Sequence, residues 1–285
     1  MIQSMTGYGK SLVQLPSKKI TVEIKSLNSK NLDVNARVPS AYREKELDIR
    51  KRISKSLSRG KVDFNLYVEQ TGEETSTVIN EAAVKQYMKQ LAHITDGDPV
   101  ELMKMAVRFP DALQTERDEI DETEYNKIIE AVDEALHSIN QYRTDEGKAL
   151  EADFQKRITN ISTLLDEVVE LDPQRMDNVK ERLAKAVSDL KETVDENRFE
   201  QELVYYLEKY DITEEQVRLS NHLSYFSETL QSKASNGKKL GFISQEIGRE
   251  INTIGSKANF APMQQVVVQM KDELEKIKEQ ALNVL

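Results

Sequence analysis

Residues 237–258, Gly-Lys-Lys-Leu-Gly-Phe-Ile-Ser-Gln-Glu-Ile-Gly-Arg-Glu-Ile-Asn-Thr-Ile-Gly-Ser-Lys-Ala, gather the side-chain types that phosphate chemistry needs. Lys238, Lys239, Arg249 and Lys257 are cationic, Glu246 and Glu250 anionic, in a chain of net charge −10. The two glutamates are four residues apart, so a helix stacks them on one face. Such carboxylates can hold a hard cation, which takes oxygen ligands, while the neighbouring cations hold phosphate. Further carboxylates precede them: Glu200, Glu202 and Glu208, then Asp211, Glu214 and Glu215. The structural alternative is open at each position. They can be solvated faces and i,i+4 partners, as in Arg198–Glu202 and Gln245–Arg249. Asp211 can cap the next helix, and Thr213 with Gln216 fits a capping box.

The histidines are His93, His137 and His222. Only His222 is near the carboxylate-rich region, where it could move a proton near neutral pH. Arg43, Arg50, Lys51, Arg52, Lys55, Arg59 and Lys61 form a second basic segment, read as a solvated helix face. If it points the same way as Lys238, Arg249 and Lys257, the two make a phosphate-binding groove. Gly241, Gly248 and Gly255 recur every seventh residue, and Gly248 inside a helix signals close approach of another backbone or a ligand. No GxGxxG, Walker A, GxSxG or HExxH pattern is present.

These groups need elements to hold them. Residues 12–15, 20–26 and 32–38 read as strands, and Thr21 to Lys25 alternates at period two. Residues 42–57 read as a helix with Ser40 as its cap, and 61–70 as a strand with Val62, Phe64, Leu66 and Val68 on one face. From about Asn80 the pattern is helical. Residues 121–171 read as one long helix or two nearly continuous ones, broken at Asp172-Pro173. Ile158, Ile161, Leu165 and Val168, then Leu183, Val187, Leu190 and Val194, step like coiled-coil seams. A hairpin over about 145–198, turning at the proline, follows from that spacing. Helices are expected over 196–210, 213–235, 238–253 and 263–284. The fold class is α+β: an N-terminal antiparallel sheet domain with a helix, residues 1–120, then a mostly helical domain, residues 121–285.

Composition narrows the function. With no cysteine there is no thiolate metal site and no cysteine nucleophile. No apolar run approaches the ~20 residues that span a bilayer, and no signal-peptide pattern opens the chain, so a cytoplasmic, membrane-free protein is expected. The acidic balance argues against a nonspecific nucleic-acid coat but not against RNA held in a locally basic channel.

Several stretches together resemble a known family. Ser4-Met5-Thr6-Gly7-Tyr8-Gly9, Glu23 to Asn28 with Leu32-Asp33, and Arg59-Gly60-Lys61-Val62 match its N-terminal signature. Arg143 to Gly147 with Leu150, Glu196-Asn197-Arg198 with Gln201-Glu202, and Asp211-Ile212 with Glu214-Glu215 match its middle. Gln245-Glu246, Arg249-Glu250, Asn252-Thr253, Ser256-Lys257, Glu279-Gln280 and Asn283 match its C-terminal part. The chain resembles the YicC/YloC family of bacterial proteins. That resemblance implies a divalent-metal-dependent endoribonuclease, with Mn²⁺ or Mg²⁺, assembled as a homohexamer that encloses RNA. It departs from the family where Gly241 replaces an aspartate and Gly248 an asparagine.

On this reading Glu246 and Glu250 are catalytic metal ligands, with Glu208, Asp211 or Glu215 nearby. Arg249, Lys257, Lys238 and Lys239 hold phosphates, and Asn252 and Asn28 contact sugar or base. A rival chemistry uses the RNA 2′-OH as nucleophile with His222 as base. From another class comes an RNA-binding oligomeric adaptor without hydrolytic activity.

Overall fold

The computed structural model describes residues 2–71, 77–115, 121–189, 196–232 and 237–285. The chain forms two compact units, each discontinuous in sequence. One comprises residues 8–25 and 32–139; the other comprises 1–7, 26–31 and 140–285.

The sheet unit is built from β1 (Gly7–Gln14), β2 (Lys18–Leu27), β3 (Leu32–Arg37), α1 (Glu46–Ser56) and β4 (Gly60–Gln70), in sheet order β1-β2-β4-β3. Alternation at period two puts Ile20, Val22 and Ile24 of β2 and Val62, Phe64 and Leu66 of β4 on the buried face. They pack on Tyr42, Ile49, Ile53 and Leu57, and on Ile128, Val132, Leu136 and Ile139 of α4 (Glu122–Asp189). The expected α+β class holds, with one difference. β3 and β4 pair in parallel, Val34 opposite Val62 and Ala36 opposite Phe64. The sheet is therefore mixed rather than antiparallel, because α1 makes a crossover between neighbouring strands. Residues 40–45 form a 3-10 turn before α1, so the helix starts later than Ser40.

After β4 come β5 (Thr77–Ile79), α2 (Glu81–Ile94), α3 (Pro99–Ala106) and β6 (Leu113–Thr115). The antiparallel β5–β6 pair closes a small cluster of Val84, Ala106 and Ala112, which local periodicity does not signal.

The helical unit combines the second part of α4 with α5 (Glu196–Lys209), α6 (Thr213–Gln231), α7 (Gly237–Lys257) and α8 (Ala261–Ala281). Pro173 does not break α4, which continues to Asp189. An interior proline costs roughly 3 kcal/mol, and the packing around this one retains the helix. Arg175, 1% exposed, donates to the Tyr210 carbonyl at 2.8 Å and ion-pairs with Asp172. Tyr210 immediately follows α5, so α5 returns alongside the end of α4. The expected turn at Pro173 therefore does not form. Leu190 and Val194 of the second expected seam lie outside the described residues. The first seam, Ile158, Ile161, Leu165 and Val168, is buried in its own chain among residues of α6, α7 and α8. No helix among the described residues is long and apolar enough to cross a membrane.

Candidate active site

α6 and α7 pack side by side, and two contacts fix their antiparallel register. At one end Lys257 Nζ meets Glu215 Oε1 at 2.8 Å. At the other, Lys239 Nζ lies 4.5 Å from the centre of the Tyr225 ring. This antiparallel packing sets His222, which is half-buried, opposite the middle of α7. Glu246, Glu250 and Lys257 share one flank of α7, at i, i+4 and i+11.

The carboxylates on this flank have different partners. Glu246 is ion-paired with Arg249 at 2.9 Å, and the Arg249 side chain is 71% exposed. Glu215 is 6% exposed; Lys257 holds its Oε1, while its Oε2 is buried without a hydrogen-bond partner. Glu250 is 9% exposed, and no ion pair or hydrogen bond engages its carboxylate among the described residues. Its oxygens are not among the fully buried unpartnered atoms, so they stay within reach of solvent and open to a positively charged or hydrogen-bonding ligand.

Other expected site residues have local structural roles. Asp211 Oδ1 accepts from the Thr213 amide at 3.0 Å and the Thr213 hydroxyl at 2.7 Å. The hydroxyl, then the amide, hold its carboxyl below the usual aspartate range. Asp211 thus starts α6. Thr213 is the first residue of the helix rather than its cap, so the expected capping box does not form. Lys257 Nζ also donates to the Asp211 carbonyl at 2.8 Å, tying the end of α7 to the start of α6. Glu208 is exposed on α5, and Lys238 and Asn252 are exposed on α7. Among the described residues no three His, Cys, Asp or Glu side chains converge as a metal cage would require. Arg50 and Arg52 of the second basic segment pair within the sheet unit, with Glu46 and Asp133.

Asn28 belongs to a different assembly. Its Nδ2 donates to the Leu282 carbonyl at 2.6 Å, just past α8. Residues 3–5 run antiparallel to the last residues: Met5 N donates to Asn283 O at 2.8 Å and Leu285 N to Gln3 O at 2.9 Å. Arg143, 2% exposed, reaches the Met5 carbonyl at 3.0 Å and the Ser26 hydroxyl, and the Thr6 hydroxyl donates to Glu146 at 2.8 Å. Gly147 lies against the Ile2 carbonyl and Gly237 against that of Val284, where any Cβ would collide. Stretches from the beginning, middle and end of the sequence therefore meet in the helical unit.

The opening and closing stretches that meet here are those that carried the resemblance. Residues 2–152 match the family model described as "Endoribonuclease YicC-like, N-terminal region", and residues 168–285 match "Endoribonuclease YicC-like, C-terminal". This chain belongs to the YicC-like family. It is 32% identical over 293 residues to "Probable endoribonuclease YicC" of Clostridioides difficile (strain 630), with all of both chains covered. It is 27% identical over 287 residues to a protein of the same name from Haemophilus influenzae (strain ATCC 51907 / DSM 11121 / KW20 / Rd), again over the full length of both.

Two groups stand out within the YicC-like signature. Ser4, Thr6, Ser26, Asn28, Arg143, Glu146, Gly147 and Asn283 hold chain segments together, and Glu246, Arg249 and Glu250 line the α6–α7 flank. Reading the sequence for chemistry missed Arg143 and Arg175 as buried cations. The available signal was a polar residue inside an otherwise regular helical pattern.

Proposed function

We propose that this protein is a divalent-metal-dependent endoribonuclease that encloses and cleaves RNA as a homo-oligomer in the cytoplasm. The names of its full-length relatives support the activity. The observation that carries the site is Glu250, without an ion pair or hydrogen bond among the described residues, one helical turn from Glu246 and beside the exposed Arg249. Enclosure by a hexamer rests on the family resemblance.

An all-protein cage does not fit, since Asp211 serves α6, Glu215 serves Lys257 and, among the described residues, no third carboxylate joins the α7 pair. A two-carboxylate set does fit. Mg²⁺ typically keeps several waters and binds through one or two carboxylates plus substrate phosphates. Glu246 and Glu250 would hold it, and it would neutralise charge developing on the phosphoryl oxygens. Arg249 is placed to exchange Glu246 for a neighbouring phosphate, and a bidentate guanidinium suits that role. Lys238 and Lys239 extend the positive charge along α7 towards Gly237. His222 is the proton-transfer group, and Asn252 is free on the surface to meet sugar or base.

Cleavage of a labelled stem-loop RNA, titrated with Mn²⁺ and quenched with EDTA, tests this together with melting curves. Glu246→Gln and Glu250→Gln should each lower the cleavage rate by on the order of a hundredfold, because glutamine keeps the shape but loses the charge a hard cation needs. Melting and RNA affinity should change little. Full activity in both variants would remove the pair from the mechanism. Ends bearing 5′-phosphate would fit hydrolysis; a 2′,3′-cyclic phosphate would instead assign the chemistry to the RNA 2′-OH with His222 as base. The absence of a three-donor cluster also suits the rival reading, an RNA-binding oligomeric adaptor. Binding by the parent without cleavage at any metal concentration would establish that reading.

A further inference from the structure

The four-stranded sheet buries one face and leaves the other exposed. Period-two alternation should make an exposed sheet face polar. This one carries large side chains: Tyr8 is 41% exposed, Leu12 51% and Tyr67 49%. Tyr8 lies on β1 and Tyr67 on β4, separated by β2, which puts them about 10 Å apart across the strands. Neither ring can contribute to the core, which lies on the opposite face.

A cation lies over the Tyr8 ring, and others share the face. Lys25 Nζ of β2 lies 5.6 Å from the centre of the Tyr8 ring. Lys10 of β1, on the same face, ion-pairs with Glu23 at 3.1 Å. Glu23 also accepts from the Tyr8 hydroxyl at 3.2 Å, which fixes the ring orientation. Asp63 accepts from Asn35 at 3.0 Å. Glu23 and Asp63 on this face are thereby engaged; Lys25, Arg37 and Lys61, and the acids Asp33 and Glu69, form no ion pair among the described residues, Asp33 lying opposite Lys61 in register. The face therefore presents two exposed aromatic rings, one of them oriented by Glu23, amide groups from Asn35 and Asn65, and five cations (Lys10, Lys19, Lys25, Arg37, Lys61) against four acids (Glu23, Asp33, Asp63, Glu69), within a chain of net charge −10.

We infer that the exposed face of the β1-β2-β4-β3 sheet is a binding surface for single-stranded RNA, with Tyr8 and Tyr67 each stacking one base and Lys25, Arg37 and Lys61 meeting phosphates. Four-stranded sheets read single-stranded RNA in this physical way, by strand aromatics that stack on unpaired bases. Every base has a π-face, so the surface tolerates any sequence but requires unpaired nucleotides. A duplex keeps its bases stacked internally and offers only phosphates. The surface would hold a substrate strand for cleavage elsewhere in the molecule. This inference rests on the RNA reading above and adds the form of RNA that is held.

The test is fluorescence anisotropy of a labelled oligouridine and of a labelled RNA duplex at fixed low salt. The proteins are the parent, a Tyr8→Leu/Tyr67→Leu double variant and a Tyr8→Phe/Tyr67→Phe double variant. Leucine keeps apolar bulk but cannot stack, so oligouridine affinity should fall on the order of tenfold or more. The phenylalanine pair should stay within about threefold of the parent, since the stacking face is retained, and duplex affinity should change little in either variant. Irradiation of the parent bound to oligouridine should crosslink Tyr8 or Tyr67. This readout stands even if the leucine variant fails to fold. Parent-like oligouridine binding by the leucine variant, or crosslinks confined to other peptides, would overturn the proposal. So would unchanged RNA affinity with an altered light-scattering mass, which would assign the face to contact between copies. A parent that binds no RNA would remove the RNA reading itself.

Discussion

Lys257 shows how one side chain can look like a phosphate ligand in sequence and act as a tie in the fold. Its amine is shared between Glu215 Oε1 and the Asp211 carbonyl, each at 2.8 Å. Lys257→Ala would leave Glu215, already 6% exposed with one unpartnered oxygen, without its cation. The expected cost is about 2 kcal/mol in denaturant unfolding, the penalty for leaving a buried polar group unsatisfied. Adding Glu215→Gln should recover part of it, and strict additivity in that double-mutant cycle would contradict the coupling. Asp211 gives a pH-dependent prediction. Hydrogen bonds from Thr213 lower its folded pKa. Its contribution is therefore present above the unfolded value and lost as pH falls through the folded one, below about pH 4. Asp211→Ala should cost about 1 kcal/mol at neutral pH, and the gap in melting temperature from the parent should close on acidification. A constant gap down to pH 3 would show that the carboxylate charge is not responsible. Gly241 makes a third case. A Cβ there meets nothing within 4 Å, whereas at Gly248 it meets Leu274 Cδ2 at 3.2 Å. Gly241→Ala should therefore stabilise the protein by up to about 1 kcal/mol, and Gly248→Ala by less.

At the scale of elements, α4 is the informative case. It spans 68 residues and carries Pro173 inside it. Its first part supplies Ile128, Val132, Leu136 and Ile139 to the sheet unit, and its later part supplies Phe154, Ile158, Ile161, Leu165 and Val168 to the helical unit. Tertiary burial of these stripes outweighs the local cost of the proline, as packing commonly outweighs propensity. Pro173→Ala should restore the missing backbone donor and raise stability by about 1 kcal/mol or more. Lower stability would mean that Arg175 depends on a proline-set bend for its bond to Tyr210. Gly147 on the same helix tests close packing. Any side chain there meets the Ile2 carbonyl, so Gly147→Ala should lower the melting temperature, the reverse of Gly241→Ala.

At the scale of the whole molecule, the two ends of the chain complete one unit. Residues 3–5 pair with residues 283–285, and Arg143 and Glu146 hold the opening segment from the side of α4. Deleting residues 1–6 should remove the buried Ile2 and Met5 from the packing and leave Arg143 without its Met5 acceptor. A lower melting temperature is expected, and unchanged melting would show that the pairing contributes little. The proposed oligomer no longer draws support from the first heptad-like seam, because that seam is buried within its own chain. Light scattering at micromolar concentration should nonetheless give a mass several times 32.6 kDa. A species of only that mass would count against enclosure of RNA by a homo-oligomer.

What the sequence determined by itself is what short-range periodicity encodes. Alternation at period two marked β2 and β4, and helical spacing marked α1 and α5 to α8, because burial of one face constrains residues only a few positions apart. The pairing of Glu246 with Glu250 was legible for the same reason. The tertiary structure alone decided which distant segments meet. The parallel β3–β4 pair, the passage of α4 through Pro173, the engagement of Lys257 and Asp211 and the assembly of Ser26, Arg143 and Met5 all depend on partners far away in sequence. Packing free energy is collected between such segments, and a local window does not contain both partners.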